Sequence, residues 1–413
     1  MQLLYTLLLY IVQVVLYLVK GTNEKLRLFV EGRKSVYADL QNLPQNRPVL
    51  WFHCASLGEY EQAVPIMKAI REQQPEYVLL VTFFSPSGYE VKKKADLPDI
   101  VTYLPLDIPY KVNQFLNKVR PELAFFVKYE FWPNYMMALQ SRSIPLYSIS
   151  GVFRKDQVFF KFYGGFMRKA LQTITYFFVQ DENSLINLKE LNITNTTVSG
   201  DTRYDRVAAQ LNYDNQIEAV ERFIRDRQCI VFGSTWPEDE AILINFVRTL
   251  PKNTCCVIAP HEVKSREIER LQRIFPDSCL FTDLATQNGK HNVLIVNTIG
   301  HLSKIYSYAD IAYVGGAMGT SGLHNILEPA TFGVPVIIGK NFQKFPEAQQ
   351  LLDAGGLVSV STPDSFENMA TRLLISEEQR KTMADASYLF VQQRKGATQI
   401  IIDHVFPNSE KTV

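Results

Sequence analysis

Residues 311–339 read IAYVGGAMGTSGLHNILEPATFGVPVIIG. The stretch opens on an apolar strand-like run, Ile311 to Val314, and closes on another, Pro335 to Gly339. Four glycines within the eight residues 315–322 separate the first run from a polar His324-Asn325 pair and a helix-like segment carrying Glu328. Strand, glycine loop, helix, strand is the repeating unit of a parallel sheet. Glycine lets backbone approach backbone or ligand closely and adopt positive φ. The free N–H groups of a helix start suit an anion. The pattern therefore predicts an anion site at Gly315, Gly316 and Asn325. Glu328, one turn into the helix, presents a carboxylate able to accept two sugar hydroxyls, so the anion expected is a nucleotide phosphate.

The same alternation runs outward from this stretch. Toward the N-terminus stand VLWFHC (49–54), YVLLVTFF (77–84), IVTYLPL (100–106), LAFFVKYE (123–130), PLYSIS (145–150), YFFVQ (176–180) and TTVSGD (196–201), most of them followed by helical patterns. Residues 206–227 are polar and helix-like. The series then restarts with CIVFGST (229–235), CCVIAPH (255–261), SCLFTD (278–283) and NVLIVNT (292–298), and ends with LVSVS (357–361). Continuous apolar strands between helices indicate a parallel sheet covered on both faces. The fold class expected is α/β: two Rossmann-like, doubly wound domains facing a cleft. The boundaries expected are an N-terminal helix over 1–20, a first domain over 21–205, a linker over 206–228, a second domain over 229–375 and a C-terminal helix over 376–413 that returns toward the first.

In open α/β sheets ligands sit beyond the carboxyl ends of the strands. In the first domain those ends carry Ser56, Gly58 and Glu59, then Lys128 and Glu130 beside Trp132, then Arg154. In the second they carry Ser234 and Thr235, then Pro260 and His261. His261 is placed to meet a base or a phosphate. GVPVIIGK (333–340) is not a phosphate loop: five residues separate its glycines and Asn341 follows the lysine. No Asp-X-Asp occurs in the chain, so a metal-chelated diphosphate is not expected.

Over 413 residues the net charge is +1, which gives no footprint for nucleic acid. The five cysteines form no CxxC and read as reduced core thiols, not as a zinc site. Residues 1–19, MQLLYTLLLYIVQVVLYLV, carry no charge and approach the length that spans a bilayer. Residues 20–34, KGTNEKLRLFVEGRK, carry five Lys/Arg against two Glu. That flank stays in the cytoplasm by the positive-inside rule. The N-terminal segment is expected to dock on, or anchor in, a membrane.

These motifs together resemble one family. A glycine pair, His-Asn-x-x-Glu-Pro-Ala and Gly-x-Pro-Val, late in the second of two Rossmann-like units, is similar to the donor motif of GT-B glycosyltransferases. HCASLGE, TFFSPSGYE, YLPLD, KYEFWPN, SGDTRYD, GSTWPEDE and APHE occur in the order seen in 3-deoxy-D-manno-octulosonic acid (Kdo) transferases. The resemblance covers essentially the whole chain. It implies inverting, metal-independent transfer of Kdo from CMP-Kdo, a substrate and not a cofactor, to a lipid A precursor at the cytoplasmic face of a Gram-negative inner membrane. It implies a base soon after the N-terminal helix, here Glu31 in LRLFVEGRK, with Glu59 and Glu130 as alternatives. Ser234, Thr235, Pro260, His261, Gly315, Gly316, Asn325 and Glu328 would then hold CMP. Ser56, Gly58, Glu59, Lys128, Glu130, Arg154 and Arg203 would serve the acceptor or the Kdo carboxylate. A GT-B transferase using a UDP-sugar and a catalytically silent nucleotide-binding membrane adaptor are the other readings.

Overall fold

The computed structural model describes residues 1–44, 46–284 and 291–407. It divides into two compact units. The first is Met1–Arg206 with the C-terminal segment from Lys395, and the second is Val207–Arg394.

The first unit holds strands β1 Val49–Cys54, β2 Val78–Phe83, β3 Ile100–Tyr103, β4 Leu123–Val127, β5 Leu146–Gly151, β6 Tyr176–Val179 and β7 Thr196–Val198. They form one sheet in the order β3-β2-β1-β4-β5-β6-β7, and every pairing is parallel. All residues of β1, β2 and β4 are buried, which is why these strands read as unbroken apolar runs. Trp51, Leu80 and Ala124 fill the core on one face, and Phe52, Val81 and Phe125 fill the other. Burying each such large side chain stabilises the fold by about 1.5–3 kcal/mol.

The second unit holds β8 Gln228–Thr235, β9 Thr254–Pro260, β10 Cys279–Leu280, β11 Val293–Ile295, β12 Ile311–Val314, β13 Val336–Ile338 and β14 Leu357–Ser359. Their order is β10-β11-β9-β8-β12-β13-β14, again all parallel. Each sheet reverses direction of winding once, between β1 and β4 in the first and between β8 and β12 in the second. Those two switch points are where this architecture places ligands. All five cysteines are buried and unpaired.

Three expectations need correction. Residues 206–228 are not an open linker: helix Glu218–Ile224 buries Val220, Phe223 and Ile224 against Cys229 and Val231 of the second sheet. The run SCLFTD forms only a two-residue strand, followed by a 3-10 turn over Phe281–Asp283. The C-terminal helix is two helices. Glu377–Gln392 belongs to the second unit, while Ala397–Val405 sends Ile401 and Ile402 into the first unit's core. Asp205 of SGDTRYD ties that last helix down, accepting from Gly396 N at 2.5 Å and from Thr398 N and Oγ1, each at 2.7 Å.

The N-terminal helix α1 spans Gln2–Val19 and buries none of its residues. It is long and apolar enough to cross a membrane. Its polar side chains nonetheless meet the first unit. Gln2 donates to Asn134 Oδ1 at 3.2 Å, Tyr5 donates to Asp107 Oδ2 at 2.9 Å, and Gln13 accepts from Lys111 at 2.8 Å. Leu3, Leu7, Ile11 and Leu18 lie exposed. A short turn leads to α2, Glu24–Gly32, whose Asn23 cap accepts from Lys25 N. Nearby, Phe162 is 95% exposed, and Phe166 packs on Tyr5 with ring centroids 5.5 Å apart.

Candidate functional site

In the second unit Ser234, the penultimate residue of β8, takes φ +55°, a left-handed conformation uncommon for a residue with a side chain. Gly315 follows β12 beside it. A Cβ on Gly315 would stand 2.4 Å from Ser234 O, and one on Gly316, at φ +94°, would stand 2.0 Å from Gly322 O. Backbone approach therefore demands both glycines. Their N–H groups are also spent: Gly315 N donates to Gly233 O at 2.9 Å, and Gly316 N donates to Asp239 Oδ2 at 2.8 Å. The anion reading of these two donors is corrected accordingly.

Asp239 organises this corner. It is fully buried in the first turn of helix Pro237–Arg248. It accepts from Trp236 N at 3.0 Å, Tyr313 OH at 2.8 Å and Gly316 N at 2.8 Å. One carboxylate thus pins the glycine loop, the tip of β12 and the end of β8. The sequence shows it only as the middle of Glu238-Asp239-Glu240, indistinguishable from ordinary first-turn acids. Its neighbour Glu240 is also buried; it accepts from Thr235 Oγ1 at 3.0 Å and pairs with Arg270. The Thr235 hydroxyl therefore faces inward. Among the described residues the Ser234 hydroxyl has no protein partner.

The helix expected after the glycine loop is short, Leu327–Thr331. Asn325 Oδ1 accepts from Leu327 N at 3.2 Å, so the helix start is capped from within and is not left open to an anion. The remaining polar groups converge on Glu328. Asn325 Nδ2 donates to one of its oxygens at 3.1 Å and Ser303 Oγ to the other at 3.0 Å. A carboxylate held by two donors keeps one orientation for further hydroxyl partners.

Beyond β9, Pro260 leads to His261, whose ring stacks on Trp236 with centroids 4.4 Å apart and an interplanar angle of 22°. His324 lies 4.5 Å from His261, and its Nε2 accepts from Trp236 Nε1 at 3.1 Å. Burial, with His261 adjoining, pulls the His324 imidazole down to about 4. Burial also lowers His261. Both rings are neutral at physiological pH, and the Trp236 bond leaves the His324 proton on Nδ1. The result is a neutral aromatic surface with a ring N–H donor. Trp236, Asp239 and His324 are absent from the sequence-derived set of site residues.

In the first unit, Ser56 and Glu59 form a capping box at helix Leu57–Gln73. Ser56 N donates to Glu59 Oε2 at 3.0 Å, and the Ser56 hydroxyl donates to the same oxygen. One oxygen of Glu59, Oε2, is thereby engaged in the cap. Gly58 in the same turn has open space where a Cβ would sit. Past β4, Lys128 takes φ +65°. Glu130 Oε2 lies 3.0 Å from His53 Nε2 and accepts from Trp132 Nε1 at 2.8 Å. His53, buried at the tip of β1, contacts Thr82 O and Oγ1 through Nδ1. It lies near the end of an apolar run and opens the HCASLGE motif, which does not reveal its partners.

Arg154 donates to Tyr129 OH at 2.8 Å, and the Lys128 ammonium stands 5.5 Å from the Tyr129 ring centre. These two cations come together on one aromatic residue. Arg203 stands apart from them, paired with Asp201 at 2.8 Å, to which Gln62 also donates. Glu31 lies in the last turn of α2, 39% exposed, and is held by Lys20 at 2.5 Å and by Lys34. The Lys20 and Lys34 hydrogen bonds pull its carboxyl down to about 2. Among the described residues, no three His, Cys, Asp or Glu side chains gather as a metal site would require.

Comparison with known proteins adds to this geometry. Residues 30–206 match the family model of 3-deoxy-D-manno-octulosonic-acid transferase (kdotransferase). A 3-deoxy-D-manno-octulosonic acid transferase of Haemophilus influenzae is 29% identical over 386 residues, covering 88% of each chain. One from Rickettsia bellii is 28% identical over 377 residues, again covering 88% of each. Among solved structures, UDP-GlcNAc 2-epimerase from Neisseria meningitidis covers 87% of this chain and is itself wholly covered, at a TM-score of 0.62 and 16% identity. Acinetobacter baumannii MurG aligns over 87% of this chain and 99% of its own, at a TM-score of 0.53 and 14% identity. At such identities these structures speak for the fold alone. With the family match across the first unit and relatives aligned along most of its length, the chain is similar to 3-deoxy-D-manno-octulosonic-acid transferases, on a fold of two Rossmann-like units.

Proposed function

We propose that the chain transfers Kdo from CMP-Kdo to a hydroxyl of a lipid A precursor, with inversion and without a metal ion, at the cytoplasmic surface of the inner membrane. The observation that carries this reading is the position of Glu31. Its carboxylate lies one short helix after α1, flanked by Lys20 and Lys34, beside a face of exposed leucine and isoleucine. A lipid acceptor stays at the bilayer, so its base belongs next to the element that docks there.

In the step proposed, the acceptor hydroxyl oxygen attacks the anomeric carbon of Kdo. The bond from that carbon to the CMP phosphate breaks, and its electron pair leaves with CMP. Glu31 takes the hydroxyl proton. A carboxyl at about 2 is a weak base, so Lys20 and Lys34 must loosen as the acceptor arrives. The acceptor's own phosphates supply the competing negative charge. On the donor side, Ser234 and the His324 Nδ1–H offer neutral donors to a monophosphate, which needs less neutralisation than a diphosphate. Glu328 accepts from the ribose, and Lys128 and Arg154 serve the Kdo carboxylate or an acceptor phosphate.

Membrane docking by α1 is part of the proposal. Gln2, Tyr5 and Gln13 turn toward the first unit, which favours a helix lying on the bilayer over one that leaves the unit to cross it. Phe162 and Tyr163 of the first unit are exposed as well.

Donor choice is tested by titration calorimetry of the full chain with CMP and with UDP. CMP binding with UDP at least about tenfold weaker, a difference of 1.4 kcal/mol, is expected. Preference for UDP would overturn the donor assignment.

A further inference from the structure

A pocket of about 370 Å³ opens in the first unit between α1, α2 and helix Pro109–Val119. Its walls are apolar, with Val14, Tyr17, Phe29, Val30 and Leu106 among them. Three cations line it as well: Arg33, Lys34 and Lys111. Lys34 is engaged by Glu31. Among the described residues the other two have no acid partner. Arg33 donates to three backbone carbonyls, Leu104 O at 3.0 Å, Phe29 O at 2.8 Å and Phe84 O at 2.8 Å. Its guanidinium also lies 3.6 Å from the Phe29 ring centre. Lys111 donates to Gln13 Oε1 at 2.8 Å.

Two positive charges withdrawn from water without a counter-charge are costly to keep. The strain shows in both groups: burial pushes Arg33 down to about 9 and lowers Lys111, with Arg33 adding to the second. A guanidinium has five N–H donors, and three of Arg33's are spent on carbonyls. An anion entering the pocket would recover the missing partner. Hydrocarbon beside that anion would be covered by the apolar walls, which continue into the exposed face of α1. Charge and wall chemistry together select a single kind of occupant.

We infer that this pocket binds a phosphorylated lipid, its phosphomonoester seated on Arg33 and Lys111 and its first acyl carbons lying between α1 and α2. Resting on the function proposed above, the pocket orients the acceptor: a phosphate held here competes with Glu31 for Lys34 and frees the carboxylate. Lys111 is thus a specificity residue for the acceptor, not a participant in bond making.

The test measures equilibrium binding to the full chain of three probes below micelle formation: dihexanoyl phosphatidic acid, dihexanoyl phosphatidylcholine and inorganic phosphate. Variants Lys111→Gln and Val14→Trp are compared with wild type, and CMP binding serves as the control for folding. The wild type is expected to bind the phosphatidic acid at least about tenfold more tightly than either other probe, one desolvated charge pair being worth that much. Lys111→Gln is expected to lose that factor, and Val14→Trp to weaken the lipid while leaving inorganic phosphate unchanged. Equal affinity of wild type and Lys111→Gln for phosphatidic acid would overturn the site. So would equal affinity for the two lipids, or inorganic phosphate binding as tightly as the lipid, which marks a free-anion site. A bisphosphorylated glycolipid acceptor then links binding to turnover: Lys111→Gln raises KM and leaves kcat within about twofold, as loss of uniform binding does. Probe binding without any transfer by the wild type would sink the proposed reaction and leave the lipid site standing.

Discussion

Glu31 is a carboxylate arranged against its own reactivity. Lys20 and Lys34 hold it at about 2, against an ordinary 4.5. The sign follows from the direction of that shift. The ion pairs favour the folded state above the ordinary value, and the gain is lost as pH falls through the depressed one. The group is exposed, so its contribution to stability is small. Its kinetic signature is clearer. In the free enzyme, kcat/KM for the wild type is expected to show no carboxylate limb from Glu31 until pH approaches about 2, whereas Lys20→Met combined with Lys34→Met brings a limb up toward 4.5. A pH–rate profile of both proteins checks this, and a wild-type limb already near 4.5 that the double variant leaves unmoved would contradict the pairing. Glu31 as a base comes from the family resemblance; the sequence pattern alone shows only a glutamate in a basic run directly after an apolar helix. His53 and Asp239 are not legible, because their partners stand 77 positions away in Glu130 and in Gly316. Only the folded sheet brings such residues together.

The proposed donor site depends on the glycine loop after β12, and Asp239 fastens that loop. Replacing Asp239 with alanine leaves the Trp236 N–H, the Tyr313 hydroxyl and the Gly316 N–H without their acceptor. Each unsatisfied buried group costs about 1–3 kcal/mol. Asp239→Ala is therefore expected to lower stability by about 3–5 kcal/mol and to weaken CMP binding more than about tenfold, 1.4 kcal/mol. Asp239→Asn keeps the shape and should lose less of both. Denaturant unfolding and calorimetry measure the two effects; CMP binding unchanged in a destabilised Asp239→Ala would separate the loop from the site. At this scale the strands were legible, since β1, β2, β8 and β9 are unbroken apolar runs at even intervals. The loop's purpose was not. A glycine that admits an anion and a glycine that admits the Ser234 carbonyl leave the same trace in sequence. The average polarity of residues 206–228 likewise conceals Val220, Phe223 and Ile224, whose spacing puts one apolar stripe on the second sheet.

For the whole molecule, the proposal gives the N-terminal helix the task of placing the chemistry at a membrane surface. Leu7 and Ile11 on α1 are each more than half exposed, so neither holds the fold together. Leu7→Glu with Ile11→Glu is expected to reduce binding to anionic vesicles by at least about a hundredfold, since each buried aliphatic side chain contributes about 1.5–3 kcal/mol. The melting temperature should stay within a degree or so, because exposed positions away from packed contacts change stability by under about 0.5 kcal/mol. Vesicle co-sedimentation and a thermal melt read both quantities. A large drop in melting temperature with unchanged vesicle binding would make α1 a structural helix. Composition made the apolar segment plain, but the inward turn of Gln2, Tyr5 and Gln13 depends on Asp107, Lys111 and Asn134, far along the chain.

The central claim is Kdo transfer with Glu31 as the base. It is tested most directly by mixing the full chain with CMP-Kdo and a lipid A precursor in the presence of a metal chelator, beside Glu31→Gln, and weighing the lipid product. The account predicts that the wild type adds Kdo under chelation. It predicts that Glu31→Gln binds CMP normally and turns over about 10²–10⁴ times more slowly. Full-rate transfer by Glu31→Gln, or no transfer by a wild type that binds CMP, would contradict it.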